Sequence, residues 1–252
     1  MKRVLPLLSL VSAILLSGGA LRAEKPSPVD PTALALLKRM STTLESSKAF
    51  TFAFYGILEV PSVTGQFVTA ISEGRMAVER PGKLRGVYRG DAHLFDFFYD
   101  GSSVTAVAPQ AKVFSSAKAP ADLDGMLSGV RQETGIHLHF APLLFSNSYD
   151  RLTKNLQSAV VIGPTRVNGI PCDHLAFRTK GVNWEIWISS GKVALPYRLA
   201  ATFTDKPNFP RKFIEFSSWN LHPWIPSSIF VFRRPPGFQE VPFKTVLKDA
   251  GR

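Results

Sequence analysis

Between Phe50 and Phe114 apolar and polar residues alternate with a period of two, and turn residues break the alternation at short intervals. Each alternating run presents one apolar face. Runs joined by turns this short form consecutive antiparallel hairpins, because parallel strands need a long crossover. Residues 49–59 set Phe52 and Phe54 on one face, and Ala53, Tyr55 and Ile57 on the other. Runs over 66–72 and 74–79 follow, then the turn Arg80-Pro81-Gly82-Lys83 and a run over 84–89. Residues 94–99 set Phe95, Phe97 and Tyr99 on one face and end at Asp100-Gly101, a strong hairpin signal. Runs over 102–108 and 112–115 continue the meander.

The alternation resumes at 159–165 and continues through 172–179, 183–189, 197–204, 211–220 and 228–232. Asn168-Gly169 and Ser190-Gly191 supply turn chemistry. The spacing therefore predicts about ten to eleven strands. Residues 120 to 157 interrupt them. Asp122, Leu123, Met126, Leu127 and Val130 have helical spacing, and Pro142 to Phe145 can start a short helix or turn. Residues 31–47 form the best helix. Asp30 caps it, Pro31 occupies its first position, and Leu34, Leu37, Met40, Ser41 and Leu44 share one face. An amphipathic helix of this kind lies on another element.

A long antiparallel sheet tends to curl, and helices can close its concave side. The expected class is mainly β with α: a half-open antiparallel β-barrel with an N-terminal helix and a helical lid insertion. A sandwich filled by its own side chains is the alternative. Residues 30–243 are expected to form a single domain, with a frayed tail over 244–252. Phenylalanine is the compositional outlier, at 19 residues, and needs either a core or an apolar ligand to pack on.

Residues 1–23 read as a signal peptide. Lys2 and Arg3 precede an apolar run from Val4 to Leu16, followed by Ser17, Gly18, Gly19 and Ala20. Cleavage after Ala20 or after Ala23 fits. The run is shorter than the ~20 residues a spanning helix needs. No cysteine follows it, which argues against a lipid anchor, so a soluble periplasmic protein is expected. The single cysteine, Cys172, excludes an internal disulfide. The formal charge is +11, or +8 once Lys2, Arg3 and Arg22 leave with the leader. Basic residues are scattered, without the dense run of a nucleic-acid arm.

Chemistry is hard to find. No nucleophile elbow, phosphate loop, dinucleotide fingerprint or zinc-protease motif occurs. His137 and His139 can share a strand face, but no carboxylate stands at a metal-site spacing. Cys172 and His174 can also share a face, although a nucleophile would need a depressed pKa. Asp96, Asp100, Asp122, Asp124, Glu185 and Glu215 could converge only through the fold. Asp96 faces away from Phe95 and Phe97, onto what reads as a solvated outer surface. Trp184 and Trp187 fall on opposite faces of one strand. Trp219 and Trp224 flank His222-Pro223 in a predicted loop.

Several fragments, in order, resemble a known family. They are Arg80-Pro81-x-Lys83-Leu84-Arg85, Tyr99-Asp100-Gly101, the proline-led helix near Pro120, Asn168-Gly169-x-x-Cys172-x-His174-Leu175-Ala176-Phe177, Trp184-x-x-Trp187-Ile188, Leu195-Pro196 and Phe230-x-Phe232-x-x-Pro235. Together they resemble the predicted periplasmic family known as domain of unknown function 2092, over about Asp30 to Phe243. That family is similar in pattern to the periplasmic lipoprotein carrier and its outer-membrane receptor. The resemblance implies a half-open barrel under a helical lid that holds acyl chains, with no catalytic residues.

The expected function is therefore a non-catalytic binding protein that shields an acyl chain or other apolar ligand. The alternative is a structural or regulatory interaction domain with a filled barrel and an envelope protein partner. Phe52, Phe54, Phe95, Phe97 and Phe177 are the candidates for the concave wall. Leu123, Met126, Leu127, Leu143 and Leu144 are the candidates for the inner side of the lid. No cofactor, metal, nucleic-acid partner or membrane span is expected.

Overall fold

The computed structural model describes residues 29–91, 94–134 and 140–249. Its sheet begins with a six-strand meander: β1 (Ala49–Pro61), β2 (Phe67–Glu79), β3 (Lys83–Gly90), β4 (Leu94–Tyr99), β5 (Ser103–Ala108) and β6 (Val113–Lys118). A second meander comprises β7 (Leu156–Val167), β8 (Ile170–Thr179), β9 (Val182–Ser189), β10 (Pro196–Phe203) and β11 (Arg211–Asn220). The halves join where β1 pairs antiparallel with β11, with Phe54 opposite Phe216. With the two-residue β12 (Gln239–Glu240), which pairs parallel to β6, the sheet has twelve strands in the order β12-β6-β5-β4-β3-β2-β1-β11-β10-β9-β8-β7. It does not close, and β7 and β12 are its edges. The half-open barrel expected from the alternation is the architecture observed.

This order fixes where the helical insertion runs. It leaves β6 near one edge and enters β7 at the other, so the chain between them crosses a face of the sheet, and its buried leucines put it on the inner one. The insertion holds α2 (Leu123–Thr134), a 3-10 turn at Ala141–Leu143 and α3 (Ser148–Thr153). Helix α1 (Pro31–Ser46) packs on β7, β9 and α3. Asp30 caps it, its Oδ1 accepting from the Thr32 N–H at 2.7 Å. Its buried face is Ala33, Leu37, Met40, Ser41 and Leu44. Leu34, expected on that face, is partly buried against the same core. One apolar cluster runs from Ala33 to Val246 and contains the inner faces of both meanders together with the insertion's leucines.

Three expectations need correction. The runs over 66–72 and 74–79 are one strand, β2, because Ser72, Glu73 and Gly74 pair without interruption with β1 on one side and β3 on the other. Residues 228–232 are not a strand: Ser227–Phe230 is a 3-10 turn lying on β3 and β4. There Phe232 packs on Phe98 and Phe114, at 5.5 and 4.9 Å between ring centroids, and covers their outer face. Finally, the chain beyond 243 is not frayed as far as it is described. Phe243–Asp249 forms α4, which packs on β5 and β6 and buries Val246.

Candidate functional site

Alternation places Phe52 and Phe54 of β1, Phe95 and Phe97 of β4 and Phe177 of β8 on the inner face. All five are buried in the central cluster. The structure joins three of them through aromatic contacts. Tyr88 lies 5.4 Å from Phe54 and 5.0 Å from Phe95. Phe52 stacks on Trp219 at 4.7 Å and meets Phe216 at 5.8 Å. Phe177 sits in the other half of the sheet, stacked on Trp184 at 4.2 Å. Phe97 lies opposite Gly86, where an added Cβ would stand 3.5 Å from its own. Gly74 makes the Phe54 position possible. A Cβ there would stand 2.6 Å from the Phe54 ring and 2.1 Å from the Val87 carbonyl oxygen.

The insertion closes over this wall. Leu123, Met126, Leu127, Leu143 and Leu144 are all buried in the same cluster. Phe140 enters the aromatic wall, 5.0 Å from Phe54, 5.5 Å from Phe52 and 6.2 Å from Phe216. Polar contacts hold the insertion at a few points. Arg80, at the β2–β3 turn, donates to the Leu144 carbonyl at 2.8 Å and reaches those of Phe145 and Leu44 at 3.5 Å. Burial pulls the Arg80 guanidinium below its ordinary pKa, against the fields of Asp124 and Glu45. Its Nε is buried without a hydrogen-bond partner. Glu45 accepts from the Ser148 hydroxyl and the Tyr149 N–H, each at 3.0 Å. Asp124 accepts from the Ser146 hydroxyl at 2.6 Å and its N–H at 2.9 Å.

The fragments quoted from the sequence now have places: Arg80-Pro81 at the insertion's anchor, Tyr99-Asp100-Gly101 at a hairpin beneath it, and Trp184 and Phe177 on the inner face. A family model described as "Predicted periplasmic protein (DUF2092)" matches residues 33–244, nearly the whole described chain. The chain belongs to the DUF2092 family. No curated protein matches it. Among solved structures it is similar to an uncharacterized conserved protein from Thermus thermophilus, with TM-score 0.48 and 12% identity over 83% of this chain and 98% of that one. It is also similar to the lipoprotein LppX of Mycobacterium tuberculosis, with TM-score 0.44 and 13% identity over 76% and 96%. A LolA superfamily protein from Nitrosomonas europaea aligns with TM-score 0.38 and 8% identity over 79% and 97%.

In this DUF2092 chain the groups considered for chemistry are occupied structurally. Asp96 is mostly covered rather than solvated, because Arg85 and Arg89 hold its two oxygens at 2.7 and 2.8 Å. Glu185 meets His174 at 2.9 Å, and His174 stacks on Trp187 at 4.1 Å on the outer face. Cys172 is buried beside Trp187, Val167 and Ala200, and burial pushes its thiol pKa up, away from a nucleophile's range. Glu215 pairs with Arg198. Among the described residues no three His, Cys, Asp or Glu side chains gather as a metal site, and no helix is long and apolar enough to cross a membrane. His93, His137, His139 and the leader lie outside the described residues.

Sequence reasoning missed five residues of the site: Phe140, Phe216, Trp219, Arg80 and Lys212. Alternation along β11 carried the signal for Phe216, which shares a face with Ile214. It also puts Lys212 on that inner face, opposite Leu58 and Ala201. There Lys212 lies over the Phe203 ring at 5.3 Å, and burial pulls its pKa down to about 8. Nothing local marked Phe140 or Arg80, whose partners are distant in sequence. A separate open cleft of about 410 Å³ lies at the end of α1, where Lys48, Lys192 and His222 surround Val193 and Leu221.

Proposed function

We propose that this protein is an exported, non-catalytic carrier that shields an acyl chain or similar apolar group on the concave face of its sheet. Residues 1–23 act as the leader, and residues 30–243 as one binding domain. The supporting observation is the seating of Phe140 among Phe52, Phe54 and Phe216, on an insertion that crosses between the sheet's two edges. The insertion is apolar where it meets the wall and is tied mainly through its backbone, by Arg80 and Glu45. Lifting such a cover takes the Leu144 and Phe145 carbonyls from Arg80 and lets water replace them. An acyl chain then takes the place of Phe140 and the insertion's leucines. Each methylene buried yields about 0.8 kcal/mol, so a chain of about twelve carbons gains about 9 kcal/mol before ordering costs. Recognition is loose and set by chain length, with Lys212 as the charged group nearest the inner face. If Phe140 never leaves, the same geometry is a filled interior and the domain works through its surface.

Titration with a fluorescent fatty acid tests the proposal. Saturable binding is expected, tighter in Phe140→Ala. It should be lost when thiols placed by Glu45→Cys and Ser148→Cys are joined with a short crosslinker, since those side chains already meet at 3.0 Å. A folded wild-type protein that takes up no acyl probe, and yields no lipid on solvent extraction and mass spectrometry, refutes it.

A further inference from the structure

The β1–β2 hairpin departs from the burial pattern of every strand around it. From Ile57 to Ile71 no residue is buried, yet only Glu59 in that stretch is charged. The register explains the exposure. β11 begins opposite Leu58, and β3 ends opposite Ser72, so the hairpin projects beyond both neighbours. At about 3.3 Å per residue it stands roughly 15 Å above the end of β3. Both faces of the projection carry large apolar side chains, with Glu59 and Thr69 the polar pair on one of them. Leu58, Val60 and Val68 lie on one side and Ile57, Phe67 and Ile71 on the other, with Val63 fully exposed at the tip.

The loop beside it repeats the chemistry. The Glu59 carboxylate accepts the Arg211 N–H at 2.8 Å, which ties the hairpin to residues 204–210. There Asn208 and Phe209 are both left-handed, with φ of 60° and 50°, and the Phe209 side chain is 58% exposed. A left-handed phenylalanine is costly. Lys206 and Arg211 flank it, and Lys180 stands in the adjoining turn, where Gly181 accepts from Thr204 at 2.9 Å. These three cations are exposed. Asp205 is the exposed carboxylate among them, Glu185 lies 3.8 Å from the Arg211 guanidinium, and the Asp91 carboxylate is taken by the Ile71 N–H.

We propose that this end of the molecule is a membrane-docking tip, the hairpin and Phe209 entering the headgroup region of an anionic bilayer while Lys180, Lys206 and Arg211 meet the lipid phosphates. A protein groove would cover one face of the hairpin and leave the other wet, whereas lipid surrounds both. Insertion is shallow, because residues 67–70 carry strand-edge backbone groups that need water or headgroups as partners. The proposal goes beyond acyl binding and stands without it, since the tip is outside the concave wall.

Sedimentation of the purified chain with vesicles of phosphatidylethanolamine and phosphatidylglycerol, no fatty acid present, tests it. Binding should weaken with salt and on phosphatidylcholine alone. Val63→Asp should lower the partition coefficient about tenfold, and Lys206→Glu several-fold, with melting temperature unchanged. In Val63→Trp the new indole should shift to the blue on binding. Trp224, 88% exposed at the opposite end of the sheet, serves as the wild-type reference and should not shift. No vesicle binding by the folded wild type overturns the proposal, as do full binding by Val63→Asp and an unshifted Val63→Trp in the bound state. Self-association removed by Val63→Asp, without vesicle binding, assigns the hairpin to a second copy instead.

Discussion

Gly74 shows how a single missing atom builds the wall. It lies opposite Phe54, and a Cβ there would collide with the Val87 carbonyl, which the β2–β3 ladder holds in place. Gly74→Ala should therefore cost about 1–3 kcal/mol by overpacking, read as a lowered urea midpoint at unchanged slope. Lys212 carries a pH signature. Burial lowers its pKa from 10.5 to about 8. Between those values the unfolded chain holds a proton that the folded chain has released, so stability should rise with pH across the window. Between pH 8 and pH 9 the gain should be about 1 kcal/mol, and Lys212→Met should abolish it in denaturant titrations at those two values. Tyr99, pushed up to about 12 by burial and then by Asp122 and Asp100, works the other way above pH 10. There the folded chain keeps a proton that the unfolded chain loses.

Helix α1 and the insertion are held differently, and their responses to mutation should differ. α1 buries Leu37, Met40 and Leu44 completely. Leu37→Asp places an uncompensated charge in that face, and a loss of about 3–5 kcal/mol or failure to fold is expected by thermal melting. Besides Glu45, the insertion is anchored by one guanidinium bridging to carbonyls of Leu144, Phe145 and Leu44. Arg80→Met keeps the apolar stem but removes these donors. Amide exchange across Ala141–Thr153 should then accelerate about tenfold or more while the sheet's exchange stays near wild type. Uniform acceleration would mean that the insertion opens only with the whole molecule.

At the scale of the molecule the seam is β1. It pairs with β2 along its whole length and with β11, and so joins two meanders that are each local in sequence. The slowest amide exchange should map to the middle of β1, β2 and β11, and the fastest to β12 and the outer strand β7. Protection greatest at β5–β6 would show the halves to be independent units. Because β6 and β7 lie toward opposite edges, the connection between them has to cross one face of the sheet, and its buried leucines put it on the concave one. That topology turns an interruption of the alternation into a cover.

Period-two alternation located most of the strands, and the shared faces of Phe52 with Phe54 and of Phe95 with Phe97, because side-chain direction in a strand is a local property. Helical spacing and the Asp30-Pro31 start were likewise enough for α1. The tertiary structure alone decided what each face meets. It brought Phe140 into the aromatic wall, put Arg80 under the insertion and set Phe203 beneath Lys212. It carried 227–232 across the outer surface rather than into a strand, where Phe232 gained two ring partners. It also left the β1–β2 hairpin bare, since a strand's exposure depends on how far its neighbours extend. Those contacts join residues distant along the chain, and no local period encodes them.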